Sequence, residues 1–333
     1  MRVLLVKMSS MGDVVHAQPV AVDIRRHLPQ ARIDWVVEQP FAAIPAMNEA
    51  VDRVIPIAWR KWRRRLRDAE VRRALRDFVA GLRETEYDWV IDCQGLLKSA
   101  LVSRIARAVD RAGLSWSSAR EPLASLAYGR RAVVSWRLHV VRRNREIAAA
   151  ALGYRVDEPV EFGLHAPPPQ FAWLPQVRYG VLITGASRPQ KLWPNAHWLQ
   201  VARRLLQHGL SLVWFWGSEQ ERHRAQSLAS ELASEAAAAD ASIVVPPFVG
   251  VADAASVLSG AELVVGLDTG FTHLAGALGR PTIGIFCDFD AAQCAVTGAG
   301  WCASFGGVGQ VPPVADVLGA ADAALSAAAA QAR

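Results

Sequence analysis

Short apolar runs rich in β-branched residues alternate with segments of helical period along most of the chain, the pattern of repeated strand–helix–strand units and a parallel sheet. In the first half this pattern predicts strands over 2–6, 33–37, 53–57 and 89–91, with helices over 14–27, 65–83 and 96–108. A stretch at 158–175 then carries Pro159, Pro167, Pro168, Pro169 and Pro175. It can continue neither a helix nor a central strand, so it reads as a connection between domains. A second alternating series follows, with strands over 180–184, 212–216, 243–245, 263–266 and 282–285. Its helices are expected over 194–208, 220–237, 251–258 and 272–278, and the alanine-rich tail 314–330 reads as a last helix.

The fold class is therefore α/β, with two Rossmann-like domains of parallel strands facing a central cleft. The expected division is a first domain over 1–157, a linker over 158–176, a second domain over 177–312 and a terminal helix over 313–333. Ligands of open parallel sheets bind beyond the carboxyl ends of the strands. Candidate residues are accordingly sought in the loops that follow strands.

Composition adds exclusions. At 52% hydrophobic and 20% charged the chain is an ordinary folding sequence rather than a disordered one. The opening apolar run covers only 3–6, too short for the core of an export signal, and no stretch approaches the roughly 18 apolar residues of a membrane span. A cytoplasmic protein is expected. Cys93, Cys287, Cys294 and Cys302 lack CxxC or zinc-site spacing and read as reduced thiols.

Charge is unevenly divided. Residues 1–160 hold 28 Lys and Arg against 18 Asp and Glu; residues 161–333 hold 9 against 13. The first half should meet an anionic partner, for which nucleic acid, anionic lipid and an acidic sugar are all chemically suitable.

Four loops carry candidate chemistry. Lys7 to Asp13 runs from the first strand into the first helix, and its small residues allow close approach of a ligand to the backbone. Asp13 suits a helix cap, or a base that takes a proton from an attacking hydroxyl. His16, one turn later, could assist or simply pack. The segment 59–67 has six basic residues in nine with Trp59 and Trp62 between them. It suits an anion clamp, a solvated helix start, or stacking on nucleic acid, although no nucleic-acid module surrounds it. Arg130, Arg131, Arg142, Arg143 and Arg145 are read as surface or membrane-facing. In the second half, the turn from Gly266 through Asp268, Thr269 and Gly270 to His273 could point backbone amides at a diphosphate, without the GxGxxG of a dinucleotide fingerprint. Lys191 is either a surface lysine or the counter-charge of a leaving diphosphate.

Together these segments resemble glycosyltransferase family 9, the ADP-heptose:lipopolysaccharide heptosyltransferases. The resemblance rests on VKMSSMGDVVHAQP (6–19), DWVVEQPFAAIP (34–45), VIPIAWRKWRR (54–64), IDCQGLLKSAL (91–101), AREPLASLAYGR (119–130), KLWPNAHW (191–198) and GLDTGFTHLAGALGRP (266–281). The blocks stand in the family's order over nearly the whole chain, which is more specific than any one of them.

The resemblance implies a GT-B-type fold and an inverting, metal-independent transfer of L-glycero-D-manno-heptose from ADP-heptose to the Kdo sugar nearest lipid A, with no cofactor beyond that co-substrate. It implies Asp13 as base and Lys191 against the donor phosphates as the catalytic pair. Thr184, Ser187, Arg188, Lys191, Asp268, Thr269, Gly270 and His273 fall on the donor side. Ser9, Ser10, Gly12, Arg60, Arg63, Arg64, Lys98 and Arg120 fall on the acceptor side. A lipid acceptor further implies peripheral contact with the anionic cytoplasmic face of the inner membrane, and no nucleic-acid partner. The SSMGDVVH form of the first loop resembles members that act on Kdo. The alternative is a member that needs an acceptor already carrying heptose, or another nucleotide-sugar transferase of the same fold. One departure stands out: where the family has a YGPTDP-like loop this chain has Phe286-Cys287-Asp288-Phe289-Asp290-Ala291, keeping only Asp290.

Overall fold

β1 (Arg2–Val6) is buried at four of its five positions because neighbours cover both its edges and both its faces. It lies in a parallel sheet with β2 (Arg32–Glu38), β3 (Arg53–Ile57), β4 (Glu86–Asp92), β5 (Arg107–Leu114) and β6 (Arg130–Ala132), in the order β3-β2-β1-β4-β5-β6. The computed structural model describes residues 1–157, 159–186 and 188–331, and the chain divides into two compact units, Met1–His165 and Ala166–Arg333. The second unit holds β7 (Tyr179–Ile183), β8 (Ser211–Phe215), β9 (Ile243–Val244), β10 (Leu263–Leu267), β11 (Thr282–Phe286) and β12 (Cys302–Gly306), in the order β12-β11-β10-β7-β8-β9.

Counted within its own unit, each sheet has the doubly wound order in which the chain turns from one side of its first strand to the other. That reversal falls between β1 and β4 in the first unit, paired from Val3↔Trp89 to Val6↔Asp92. In the second it falls between β7 and β10, paired from Gly180↔Leu263 to Ile183↔Gly266. At such a point the loops after two adjacent strands diverge, leaving room for a ligand above the strand ends.

Each sheet is covered by its own core. In the first unit Leu4, Val6, Val36, Ile55 and Val90 pack with Trp62, Leu82 and Tyr87. In the second, Leu182, Trp214, Val265 and Ile283 pack with Trp193 and Trp198 and with Val317, Ala321 and Leu325 of the final helix Val314–Gln331. The proline-rich stretch is partly tied down within the first unit, where the Gly163 carbonyl accepts Glu49 N–H and His165 N–H donates to the Met47 carbonyl. Among the described residues no disulfide joins Cys93, Cys287, Cys294 or Cys302.

Three strands escape the apolar pattern: β5, β6 and β12. The first half of β5 is charged and largely exposed, β6 is three residues with two arginines outward, and β12 is half-buried throughout. The helix expected over 14–27 is two helices, Met11–His16 and Gln18–His27, which meet at Ala17 beside Pro19. Proline has no N–H to continue the ladder, so a new helix starts with it in the first turn. The helix expected over 65–83 begins at Ala69, because the Asp68 carboxylate accepts Glu70 N–H at 2.9 Å and caps it there.

Arg145 corrects the surface reading of the basic residues near it. On helix Val140–Leu152 it faces helix Gln18–His27 and is fully buried, with Nε and an Nη of its guanidinium on Asp23 at 2.7 and 2.9 Å. Removing one partner of such a pair strands the other charge in the core. Asp23→Ala is expected to lower unfolding free energy by about 3–5 kcal/mol, whereas an Asp23→Leu/Arg145→Met double variant stays within about 1 kcal/mol of the parent. Urea unfolding of both variants checks this. Equal losses in the two would mean that packing rather than charge holds the site.

Candidate functional site

In the first unit the loops after β1 and β4 meet at the reversal point. The Gln94 side chain ties them together: its Oε1 accepts Met8 N–H at 2.8 Å and its Nε2 donates to the Ser9 carbonyl at 2.7 Å. Gln94 is held in turn by Asp92, whose Oδ1 accepts Gln94 N–H at 2.8 Å and whose Oδ2 accepts the Tyr128 hydroxyl at 2.6 Å. Burial raises the Asp92 carboxyl above its usual range, opposed by those donors. Gly95, at φ 67°, makes the turn that releases the chain into helix Leu97–Ile105. That helix brings Lys98 back to the first loop, its ammonium on Ser9 Oγ at 2.7 Å.

Asp13 stands in the same cluster. The helix Met11–His16 is capped by Ser10, not by Asp13 as the position alone allowed. Asp13 is its third residue, and its Oδ2 accepts Ser10 N–H at 2.8 Å and Ser10 Oγ–H at 2.7 Å. Gly12 lies in the first turn of this helix, whose six residues are too few to give it much of a dipole. The charge of Asp13 reaches the ammonium of Lys98 and the guanidinium of Arg143. Burial lowers Lys98 below the usual lysine range, as does the nearby charge of Arg60, against the pull of Glu38 and Asp13.

Glu38 ends β2 beneath these cations. Burial raises its carboxyl, opposed by Arg60 N–H at 3.1 Å and by the charges of Arg60, Lys98 and Arg63. Arg60 and Arg63 thus belong to the cluster. Arg64 and Arg120 are exposed, and among the described residues no side-chain hydrogen bond or ion pair ties either one to it. The interleaved tryptophans are anchors: Trp62 is buried edge-on to Phe78 at 5.7 Å, and both tryptophans pack on the core, so neither is a free stacking platform. His16 is buried, its ring 6.3 Å from that of His139.

Against the expectation of a surface or membrane-facing group, Arg143 is half-buried over the Trp136 ring at 3.7 Å, within the field of Asp13. The signal that could have found it is the nearby aromatic Trp136, since a flat guanidinium stacks on indole.

The second unit builds its cluster the same way, from the loops after β7 and β10. Gly266 lets the following helix Gly270–Ala277 close down on the sheet, because a Cβ there would meet Thr272 Oγ1 at 2.3 Å. Thr272 donates to the Leu267 carbonyl at 2.6 Å, which fixes the turn holding Asp268 and Thr269. Lys191, in the turn Pro189–Lys191, donates to Asp268 Oδ2 at 2.5 Å and to the Asp268 carbonyl at 3.3 Å. His273 Nε2 lies 3.1 Å from the other carboxylate oxygen. Lys191 is therefore no free surface lysine.

Burial alone would raise the Asp268 carboxyl, but the bonds and charges of His273 and Lys191 outweigh it and hold it at about 2. A carboxyl depressed on folding stabilises the fold above its unfolded pKa and loses that contribution as pH falls through the folded one. From about pH 5 downward to about pH 2 the protein is expected to lose about 2 kcal/mol more than its Asp268→Asn variant, read from urea unfolding at each pH. A gap between the two that does not change with pH would contradict the pairing.

Thr184 is buried at the end of β7, and its carbonyl accepts Arg224 Nη1 at 3.0 Å. Arg224 also donates to Asn195 Oδ1 at 2.7 Å and to the Trp193 carbonyl at 2.8 Å, so it pins both ends of the loop that carries Lys191. No local pattern marked it. Arg188 pairs with Asp288 at 2.9 Å, which ties the loop to the segment that departs from the family pattern. Asp290 there caps the short helix Ala291–Cys294. Ser187 lies outside the described residues. Asp268, His273 and Cys294 each bring one potential metal-ligand atom within 4.8 Å of the others, but Asp268 already accepts an ammonium.

The glycosyltransferase family 9 (heptosyltransferase) model matches residues 75–299. Lipopolysaccharide heptosyltransferase 1 of Pseudomonas aeruginosa is 45% identical over 292 residues, covering 86% of this chain and 78% of that protein. The protein of the same name from Escherichia coli K12 is 41% identical over 290 residues, covering 86% and 88%. Among solved structures, E. coli heptosyltransferase WaaC with ADP superposes with a TM-score of 0.84 at 34% identity, covering 97% of this chain and 100% of that one. The chain belongs to glycosyltransferase family 9, the heptosyltransferases, and is a glycosyltransferase built on two Rossmann-like units of the GT-B type.

Proposed function

We propose that the protein transfers L-glycero-D-manno-heptose from ADP-heptose to the inner Kdo of Kdo-lipid A, with inversion and without a metal. The observation that carries this reading is the Lys191 ammonium fixed on Asp268 beside the start of helix Gly270–Ala277, a built anion site at the reversal of the second sheet. An ammonium has three hydrogens. Two meet Asp268, and the third serves a donor phosphate oxygen together with the amides at Gly270. The WaaC structure that superposes on the chain is described as holding ADP.

In the reaction the acceptor hydroxyl oxygen bonds to the anomeric carbon from the face opposite ADP. Its proton passes to Asp13, and the bond from that carbon to the diphosphate breaks, its electron pair leaving with ADP. Lys191 and the helix amides balance the charge that develops on the diphosphate, work that a metal ion does in other transferases. Lys98, Arg60, Arg63 and Arg143 supply cations beside Asp13 for the carboxylate of Kdo.

Among the described residues no helix is long and apolar enough to cross a membrane. The reading puts the chain on the cytoplasmic face of the inner membrane through peripheral contact. Incubation with ADP-heptose and Kdo-lipid A should release ADP and raise the acceptor mass by one heptose. Turnover only on an acceptor that already carries heptose would assign the protein to the next transfer instead.

A further inference from the structure

Four leucines on the first unit stand about half or more exposed. Leu97 and Leu101 are 51% and 48% exposed on helix Leu97–Ile105, and Leu123 and Leu126 are 55% and 64% exposed on the 3-10 helix Pro122–Ala127. The first pair is spaced i, i+4 and the second i, i+3, so each pair shares one face of its element. The two elements pack side by side through Ala100, Ala124 and Tyr128, and the Glu121 carboxylate accepts Leu97 N–H at 2.6 Å. The small residues therefore face inward and the large apolar ones stand on the solvent side. Single exposed leucines are ordinary; four on two packed elements mark an interaction surface.

The charges around them are positive. Arg104 continues the exposed row of Leu97 and Leu101 and is near enough to Arg111 to lower it. Arg120 is exposed at the start of the second element. Glu121, the acid at this rim, is engaged by the helix N–H.

We infer that this leucine face, rimmed by Arg104 and Arg120, docks the protein onto an anionic lipid bilayer. Leucines enter the acyl boundary while arginines meet lipid phosphates, the arrangement by which monotopic proteins bind reversibly. The inference rests on the proposed lipid acceptor, and the helix itself links the two. It carries Leu97 and Leu101 on its exposed side, and Lys98, at its N-terminal end, bonds Ser9 in the cluster with Asp13. A bilayer seated on the leucines would present the sugar headgroup of an embedded acceptor to that end of the helix.

The test uses the full-length protein and vesicles of phosphatidylethanolamine and phosphatidylglycerol without acceptor. The parent should co-sediment with these and far less with phosphatidylcholine alone. A Leu101→Glu/Leu126→Glu variant should lose about a hundredfold in partitioning, and Arg104→Ser about fivefold. Both sites are exposed, and unchanged circular dichroism and ADP affinity would show the variants folded. The double variant should match the parent on a deacylated, water-soluble acceptor and lose turnover only on acceptor embedded in vesicles. Equal sedimentation of parent and double variant overturns the inference. So does a parent dimer in sedimentation velocity that the double variant splits, since the face then belongs to a second copy. Failure of the parent on the soluble acceptor would remove the catalytic reading while leaving the vesicle result standing.

Discussion

Asp13→Asn is expected to cut turnover about a thousandfold with ADP affinity unchanged, because an amide cannot take the proton of the attacking hydroxyl. The substitution separates the two roles that the structure gives this residue. Asp13 Oδ2 accepts both the Ser10 N–H and the Ser10 hydroxyl. An asparagine oxygen can keep the first of these, so the helix start survives. Asp13→Ala removes the acceptor altogether and should cost a further ~1 kcal/mol of stability. If Asp13 only stabilised the helix, the asparagine variant would turn over almost normally and the alanine variant would merely melt earlier. Single-turnover measurement of ADP release, with urea unfolding alongside, distinguishes the cases.

Lys191→Met is the second large effect. It is expected to lower turnover by about two to three orders of magnitude, the usual cost of removing a fixed donor from a developing oxyanion. It also leaves Asp268 with His273 as its remaining ionic partner in the turn, so part of the loss could come from a disturbed turn. The double variant Lys191→Met/Asp268→Asn removes the carboxylate charge left without its ammonium and tests that. Recovery of stability without recovery of turnover assigns the ammonium to the diphosphate. Recovery of both would reduce Lys191 to a tie for the loop.

The chain's pattern made the architecture legible wherever burial was complete. β1, β3, β7, β8, β10 and β11 have buried runs on both faces or sharp polar ends, and their positions followed within a residue or so. β5, β6 and β12 were hidden because partial exposure replaces apolar periodicity with charge and small residues. The site divides along another line. Residues on loops after strands, such as Asp13, Lys98, Lys191 and Asp268, could be singled out from position and chemistry. Their partners could not: Lys191 and Asp268 are 77 positions apart, and only the pairing of β7 with β10 brings them together. Arg143 and Arg145 are two apart on one helix, yet one stacks on Trp136 near Asp13 and the other is sealed onto Asp23. A run of arginines does not say which of them faces inward. Gln94 and Arg224 escaped for a related reason, since each acts by holding backbone groups that have no sequence signature.

The final helix has a consequence for synthesis. The first unit is one continuous segment ending at His165, so all of its strands exist before the second unit has been translated. The second cannot be finished early. Val317, Ala321 and Leu325 belong to a helix that packs over β10, β11 and β12, of which β10 leads into the Asp268 loop, and that helix is translated after every strand of the unit. A polypeptide stopped just short of Val314 would emerge from the ribosome with every proposed donor contact in its sequence and no stable floor beneath them.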